Sequence, residues 1–175
     1  MALFGKKTTS TDEFLPDSEK ANAWFDRARQ MAGSNNYESA FAFFASGFKL
    51  DPRDLTVHKE VLQIASTYYN KGGEPATNKV IKQVDGTSNI EKFVTALFAW
   101  WHDVTNPKLG IKAITAAVKA KQNEFGVAMA DTVLMLTQNS GKKPSHKELK
   151  SLMELFQSTG AWDQAIKVGQ VALAT

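Results

Sequence analysis

Residues 24–52, WFDRARQMAGSNNYESAFAFFASGFKLDP, carry apolar side chains at helical spacing: Trp24, Ala28 and Met31, then Tyr37, Ala40, Phe41, Phe44 and Phe48. A polar break separates the two series, so the stretch reads as two helices joined by a short turn. The same intervals return in residues 149–172, LKSLMELFQSTGAWDQAIKVGQVA. There Leu149, Met153, Phe156, Trp162, Ala165, Gly169 and Ala172 match Trp24, Ala28, Met31, Tyr37, Ala40, Phe44 and Gly47 step for step. A spacing that recurs in this way is the mark of a repeated helix–turn–helix unit. Ala40 and Ala165 fall where two helices must approach closely, and Tyr37 and Trp162 open the second helix of each pair.

Working outward, start and stop signals divide the rest of the chain. Ser88-Asn89-Ile90-Glu91 and Ser145-His146-Lys147-Glu148 read as capping boxes, in which a hydroxyl and a carboxylate satisfy orphan amides reciprocally. Pro75 and Pro107 suit first helical positions, where a missing N–H costs nothing. Gly33, Gly72-Gly73, Gly86, Gly141 and Gly160 follow periodic segments and suit helix ends that need a left-handed residue. These signals predict helices over 18–33, 37–50, 54–71, 75–84, 89–104, 107–122, 124–139, 145–159 and 162–174. No stretch alternates apolar and polar residues as a half-buried strand does. The expected fold is all-α, with antiparallel helical hairpins stacked as a bundle or a solenoid. Residues 1–17 are a polar run without period, expected to be a flexible tail, and residues 18–175 form the helical repeat domain.

Composition narrows the function. The chain has 175 residues, 43% hydrophobic and 22% charged, which excludes collagen-like and disordered classes. Zero cysteines remove thiolate metal sites, disulfides and cysteine nucleophiles together, and a reducing cytoplasm is the expected location. The net charge is +3. Residues 1–87 hold 11 basic and 11 acidic residues, and residues 88–175 hold 10 and 7. That excess is too mild and too spread for a nucleic-acid stripe, so no nucleic-acid partner is expected. The longest nearly apolar stretch, Phe93 to Trp101, is nine residues, about half of what a membrane-crossing helix needs, and is expected in a core rather than a bilayer. Met1 to Lys7 lacks the apolar region of a signal peptide.

Signatures of catalysis do not assemble. His58, His102 and His146 are 44 residues apart and fall on different helices, with no His-Glu-x-x-His or paired-aspartate loop, so neither a metal nor another cofactor is expected. Gly5-Lys6-Lys7-Thr8 lacks the upstream glycine and strand of a phosphate loop. No Gly-x-Ser-x-Gly elbow places a nucleophile, and the chain is not expected to be an enzyme. Trp100-Trp101 and Tyr68-Tyr69 are adjacent on helices, about 100° apart, so one of each pair is expected to pack inside and the other to face a groove or a neighbouring unit.

The spacings of residues 21–54 resemble the tetratricopeptide repeat family, whose unit is a helix–turn–helix with a closing proline. Trp24, Ala28, Met31, Tyr37, Ala40, Phe44, Gly47 and Pro52 stand at the signature positions, with Arg27 departing from an apolar one. A unit near Leu55 is degenerate, with Glu74 in place of a small residue and Gly72-Gly73 interrupting it. A unit near Glu91 fits through Val94, Leu97, Phe98, Trp101, Gly110, Ile114 and Ala117. Residues 124–144 do not fit, and the unit from 146 matches again. The resemblance implies a right-handed α-solenoid in which the first helix of each unit lines a concave surface. The groove positions it implies are Asn22, Phe25 and Arg29 in the first unit, Lys59 and Gln63 in the second, Lys92, Thr95 and His102 in the third, and Lys147 and Lys150 in the last. Such a groove would be mildly basic and would bind a partner protein or an acidic peptide. The carboxylate clamp of the family's chaperone-binding members is broken, because Phe25, Arg29, Glu60 and Ala96 stand at its positions and only Lys92 remains. No repeated pair of base-reading residues appears at Asn22, Thr56, Lys92 and Lys147, which argues against RNA. Solenoids need a polar cap over their last hydrophobic face. None follows Ala174, so the domain is expected to continue or be capped beyond Thr175. The alternative is self-assembly, with Val168, Val171 and Leu173 pairing copies into a homo-oligomer.

Overall fold

The computed structural model describes residues 14–174. The tail expected over residues 1–17 lies outside the described residues as far as residue 13, as do Gly5 to Thr8. All regular structure among the described residues is helical. The order is α1 (Ser18–Gly33), α2 (Tyr37–Leu50), α3 (Leu55–Asn70), α4 (Asn78–Ile81), α5 (Asn89–His102), α6 (Pro107–Lys119), α7 (Asn123–Asn139), α8 (His146–Ser158) and α9 (Trp162–Ala174).

The starts follow the sequence signals. Both capping boxes form, Ser88 with Glu91 and Ser145 with Glu148, and Pro107 occupies the first turn of α6 behind an Asn106 cap. The stops are less uniform. Gly72 and Gly160 take the left-handed conformation expected of a helix end, at φ 84° and 75°. Gly33 instead lies inside α1, and Asn35 makes the turn, at φ 60°.

Helix 75–84 is the largest departure. Only Asn78–Ile81 is helical, capped by Thr77, so Pro75 does not open a helix. Upstream, the Tyr68 hydroxyl donates to the Glu74 carbonyl at 2.8 Å and accepts from the Glu74 N–H at 3.0 Å. A Cβ at Gly73 would run into the Tyr68 ring. The ring therefore holds residues 73–74 in an extended course, and Pro75 disfavours helix at Glu74.

Packing shows what takes the missing helix's place. α1 packs on α2, α2 and α3 both pack on α5, and α5 packs on α6. α6 then packs on α7 and α8, α7 on α9, and α8 on α9. Hairpins α6–α7 and α8–α9 thus lie first helix to first helix and second to second. α5 and α6 pack on each other as the unit expected from α5 requires, and α6 also packs on α7, which fits no repeat spacing. α5 packs on both α2 and α3 through a broad apolar face, on which Ile90, Phe93, Val94, Leu97, Phe98, Trp100 and Trp101 are all buried.

This enclosure corrects the expectation for Trp100-Trp101. Both rings are buried, Trp100 donating from Nε1 to the Val104 carbonyl at 3.2 Å and Trp101 lying against Phe41 and Phe48. The tyrosine pair does divide, with Tyr68 half-buried and Tyr69 48% exposed. The core is richest in aromatics around α2 and α5 and more aliphatic around α6 to α9, where Ala113, Ile114, Ala117, Met129, Ala130 and Val133 are buried alongside Phe125 and Phe156. Gly47 lets α1 and α2 close, since a Cβ there would meet the Phe25 ring.

Candidate functional site

An open groove of about 630 Å³ lies between the first turn of α5, the length of α6 and the first half of α8. α6 sets its chemistry by periodicity. Gly110, Ala113, Ile114 and Ala117 turn inward, where a Cβ on Gly110 would meet Val133 and the Trp100 ring. The opposite stripe, Lys108, Lys112, Thr115 and Lys119, is spaced by four, three and four residues and therefore faces one way, into the groove. Ala116 supplies apolar surface between the lysines, over the buried side chains of Ile111 and Leu152.

Two further lysines enter from the neighbouring helices, Lys92 from α5 and Lys147 from α8. Against these five cations the lining has one carboxylate, Glu148. That group is already engaged: its Oε2 accepts the Ser145 N–H at 2.7 Å and the Ser145 hydroxyl at 2.8 Å. These bonds hold the Glu148 carboxyl below its ordinary pKa, and the nearby charges of Lys108 and Lys112 add to the effect. None of the five lysines has a carboxylate within ion-pair distance among the described residues. An apolar strip bordered by unpaired ammonium groups is suited to an anionic ligand with an apolar portion.

The ten residues expected from the sequence do not converge. Lys92 and Lys147 belong to this groove. Asn22, Lys59 and Gln63 are exposed on α1 and α3, away from it. Arg29 is on the same α1–α3 side, but Nε and Nη2 reach the two oxygens of Glu60, each at 2.8 Å, and Nη1 reaches Asp26 at 2.9 Å. Its charge is spent on joining α1 to α3. Lys150 lies 3.9 Å from Glu154 one turn on.

Phe25 and His102 are corrected by their burial, and Thr95 is not among the groove lining. Phe25 is 1% exposed and packs on Phe44 and Phe48, because α1 needs an aromatic there to close on α2. Thr95 is half-buried and donates its hydroxyl to the Glu91 carbonyl at 2.8 Å. His102 is 3% exposed, with Nδ1 donating to the Phe98 carbonyl at 2.8 Å and Nε2 without a partner. Burial pushes its pKa below the ordinary histidine value.

Lys108, Lys112 and Lys119 were not expected as site residues. Their i, i+4, i+11 spacing was present in the sequence, but its meaning depended on knowing that α6, rather than α5, is the helix set against α8.

No group of three metal-ligating side chains occurs among the described residues, and no described helix is long and apolar enough to cross a membrane. No protein-family model matches the chain, and neither a curated protein nor a solved structure matches it.

Proposed function

We propose that the chain is a non-enzymatic, cytoplasmic interaction module, a tetratricopeptide-like α-solenoid whose α5–α6–α8 groove binds an acidic segment of a partner protein. The observation that carries this reading is the set of five lysines without carboxylate partners around an apolar strip. Unpaired like charges on one concave face repel one another, and an anionic ligand relieves that repulsion while steering itself to the site. Ordered helices also present the groove at little conformational cost to the protein. The alternation of α6 with α8 and α7 with α9 supports a solenoid over a closed bundle.

Affinity capture from native lysate tests the reading, using the wild type, a Lys112→Glu/Lys119→Glu variant and an Arg29→Glu/Lys59→Glu variant. A partner lost only by the first variant is the expected result. Equal loss with the second would place recognition on the α1–α3 face, and equal capture by all three would remove it from both.

A second reading, self-assembly, draws on α9. Trp162 and Ile166 are 61% and 60% exposed one turn apart, and Leu173 is 88% exposed two turns further along. Val168 is fully buried and drops out of the expected contact. The exposed apolar face of α9 suits contact with a second copy. Light-scattering mass across a dilution series, with Ile166→Glu as control, decides it: a mass that stays monomeric at every concentration ends this reading.

A further inference from the structure

The lysines of the groove are not evenly placed. Lys112 and Lys119 are seven residues apart on α6, two turns, or about 10 Å along its axis, and Lys108 extends the row by one more turn. The α8 lysine belongs to the Lys108–Lys112 end, because Lys147 adjoins Glu148, whose carboxyl feels the charges of both. α5 and α6 are joined by only four residues, 103–106, so they run antiparallel and the first turn of α5 lies beside the last turn of α6. Lys92 therefore accompanies Lys119. Between the two clusters the lining carries Thr115 and Ala116, with Ile111 and Leu152 beneath.

We infer that the groove takes an extended peptide segment of the pattern acidic–x–apolar–x–acidic, an inference that rests on the reading of the chain as a module for acidic partners. In an extended strand successive side chains alternate, so positions 1, 3 and 5 share a face and span about 13 Å at 3.3 Å per residue. That span fits between the 10 Å from Lys112 to Lys119 and the roughly 16 Å from Lys108 to Lys119. The two acidic side chains meet one lysine cluster each, and the central apolar side chain covers the strip over Ala116. A uniformly anionic ligand leaves that strip wet. A peptide with both charges at one end leaves one cluster unanswered.

The test is a titration of the 175-residue ¹⁵N-labelled chain, followed by amide shifts, with three end-capped peptides of identical charge: Glu-Ser-Leu-Ser-Glu, Glu-Ser-Ser-Ser-Glu and Glu-Glu-Ser-Ser-Leu. Inorganic tripolyphosphate is the purely anionic probe. The first peptide is expected to shift amides of α6 and of the first turns of α5 and α8, to bind about tenfold more tightly than the second, from burial of one leucine, and several-fold more tightly than the third, which leaves one lysine cluster unanswered. Lys112→Gln and Lys119→Gln are each expected to weaken it several-fold while Lys59→Gln leaves it unchanged, circular dichroism confirming that each variant is folded.

Equal affinity for the three peptides, or tripolyphosphate competing as well as the leucine peptide, would overturn the pattern and leave a groove selective for charge alone. Loss of binding with Lys59→Gln would place the site on another face and overturn both the pattern and the groove. No groove shift with any probe would overturn the interaction reading from which the pattern is built.

Discussion

The α1–α3 face and the α5–α6–α8 groove both present charged side chains from adjacent helices, yet they use them in opposite ways. On the first, Arg29 forks across to Glu60 and also takes Asp26, so the charges close on each other and tie two helices together. On the second, five lysines surround one carboxylate that is committed to capping its own helix. Charge that is internally satisfied serves the fold, while charge left unsatisfied on a concave face is available to a ligand. The number of lysines distinguishes the two regions less than the presence of acidic partners within reach.

The largest way to break this comparison acts at the join between the regions. His58 of α3 stacks on Phe48 at 4.0 Å between ring centroids and meets Phe125 of α7 edge-on at 4.7 Å. Its Nε2 donates to the Pro52 carbonyl at 2.7 Å and its Nδ1 has no partner. Burial pushes its pKa down from 6.5 to about 4, although the Pro52 hydrogen bond and Asp54 pull the other way. The unfolded chain therefore binds this proton more readily than the folded one. The stability linked to His58 is complete above pH 6.5 and is lost as pH falls towards 4, a total of about 3 kcal/mol at 1.36 kcal/mol per pKa unit. Urea unfolding at pH 7, 5.5 and 4.5 measures it. A His58→Phe variant should show a flatter dependence, and an unchanged slope would remove His58 as the cause.

A smaller effect targets the placement of α6. Gly110→Ala forces a methyl against Val133 and Trp100, and overpacking of this kind costs about 1–3 kcal/mol. Thermal unfolding should show the loss, with reduced ligand binding at a groove whose lysine row has shifted. Next is the ion pair itself. Arg29→Ala should cost at most about 1 kcal/mol, less in high salt, because the pair is solvent-exposed. Smallest is Lys112→Gln, expected to change stability by no more than about 0.5 kcal/mol while weakening ligand binding. Equal destabilisation by Arg29→Ala and Lys112→Gln would erase the distinction between the two faces.

How much of this could be read beforehand depends on the range of the interaction involved. Helix starts at Ser88 and Ser145 were legible because the serine and glutamate that build each cap are three residues apart. The burial of Phe93, Val94, Leu97 and Phe98 followed from the apolar run, whereas the burial of both Trp100 and Trp101 did not. The failure at 75–84 came from Tyr68, whose ring and hydroxyl reach six residues forward to fix Glu74, a contact that no helical period encodes. The site was less legible than the fold. Phe25 and His102 were assigned to a groove by repeat register, but an apolar or aromatic residue on a helix face points wherever its partners lie, and theirs lie inside. Lys92 and Lys147 were found, while the three lysines of α6 that complete the groove were missed with the helix that carries them.

The sequence by itself therefore determined the helical class, most helix boundaries and the excess of lysine in the second half, all properties of residues within a turn or two of each other. Only the tertiary structure decided that α5 packs on both α2 and α3, that α6 stands beside α8, and that Arg29 is neutralised while Lys112 and Lys119 are not. The physical reason is that helix formation is governed by hydrogen bonds and side chains three or four residues apart. The choice of neighbour depends instead on apolar faces distant along the chain, and it is that choice which brings charges together or leaves them unmatched.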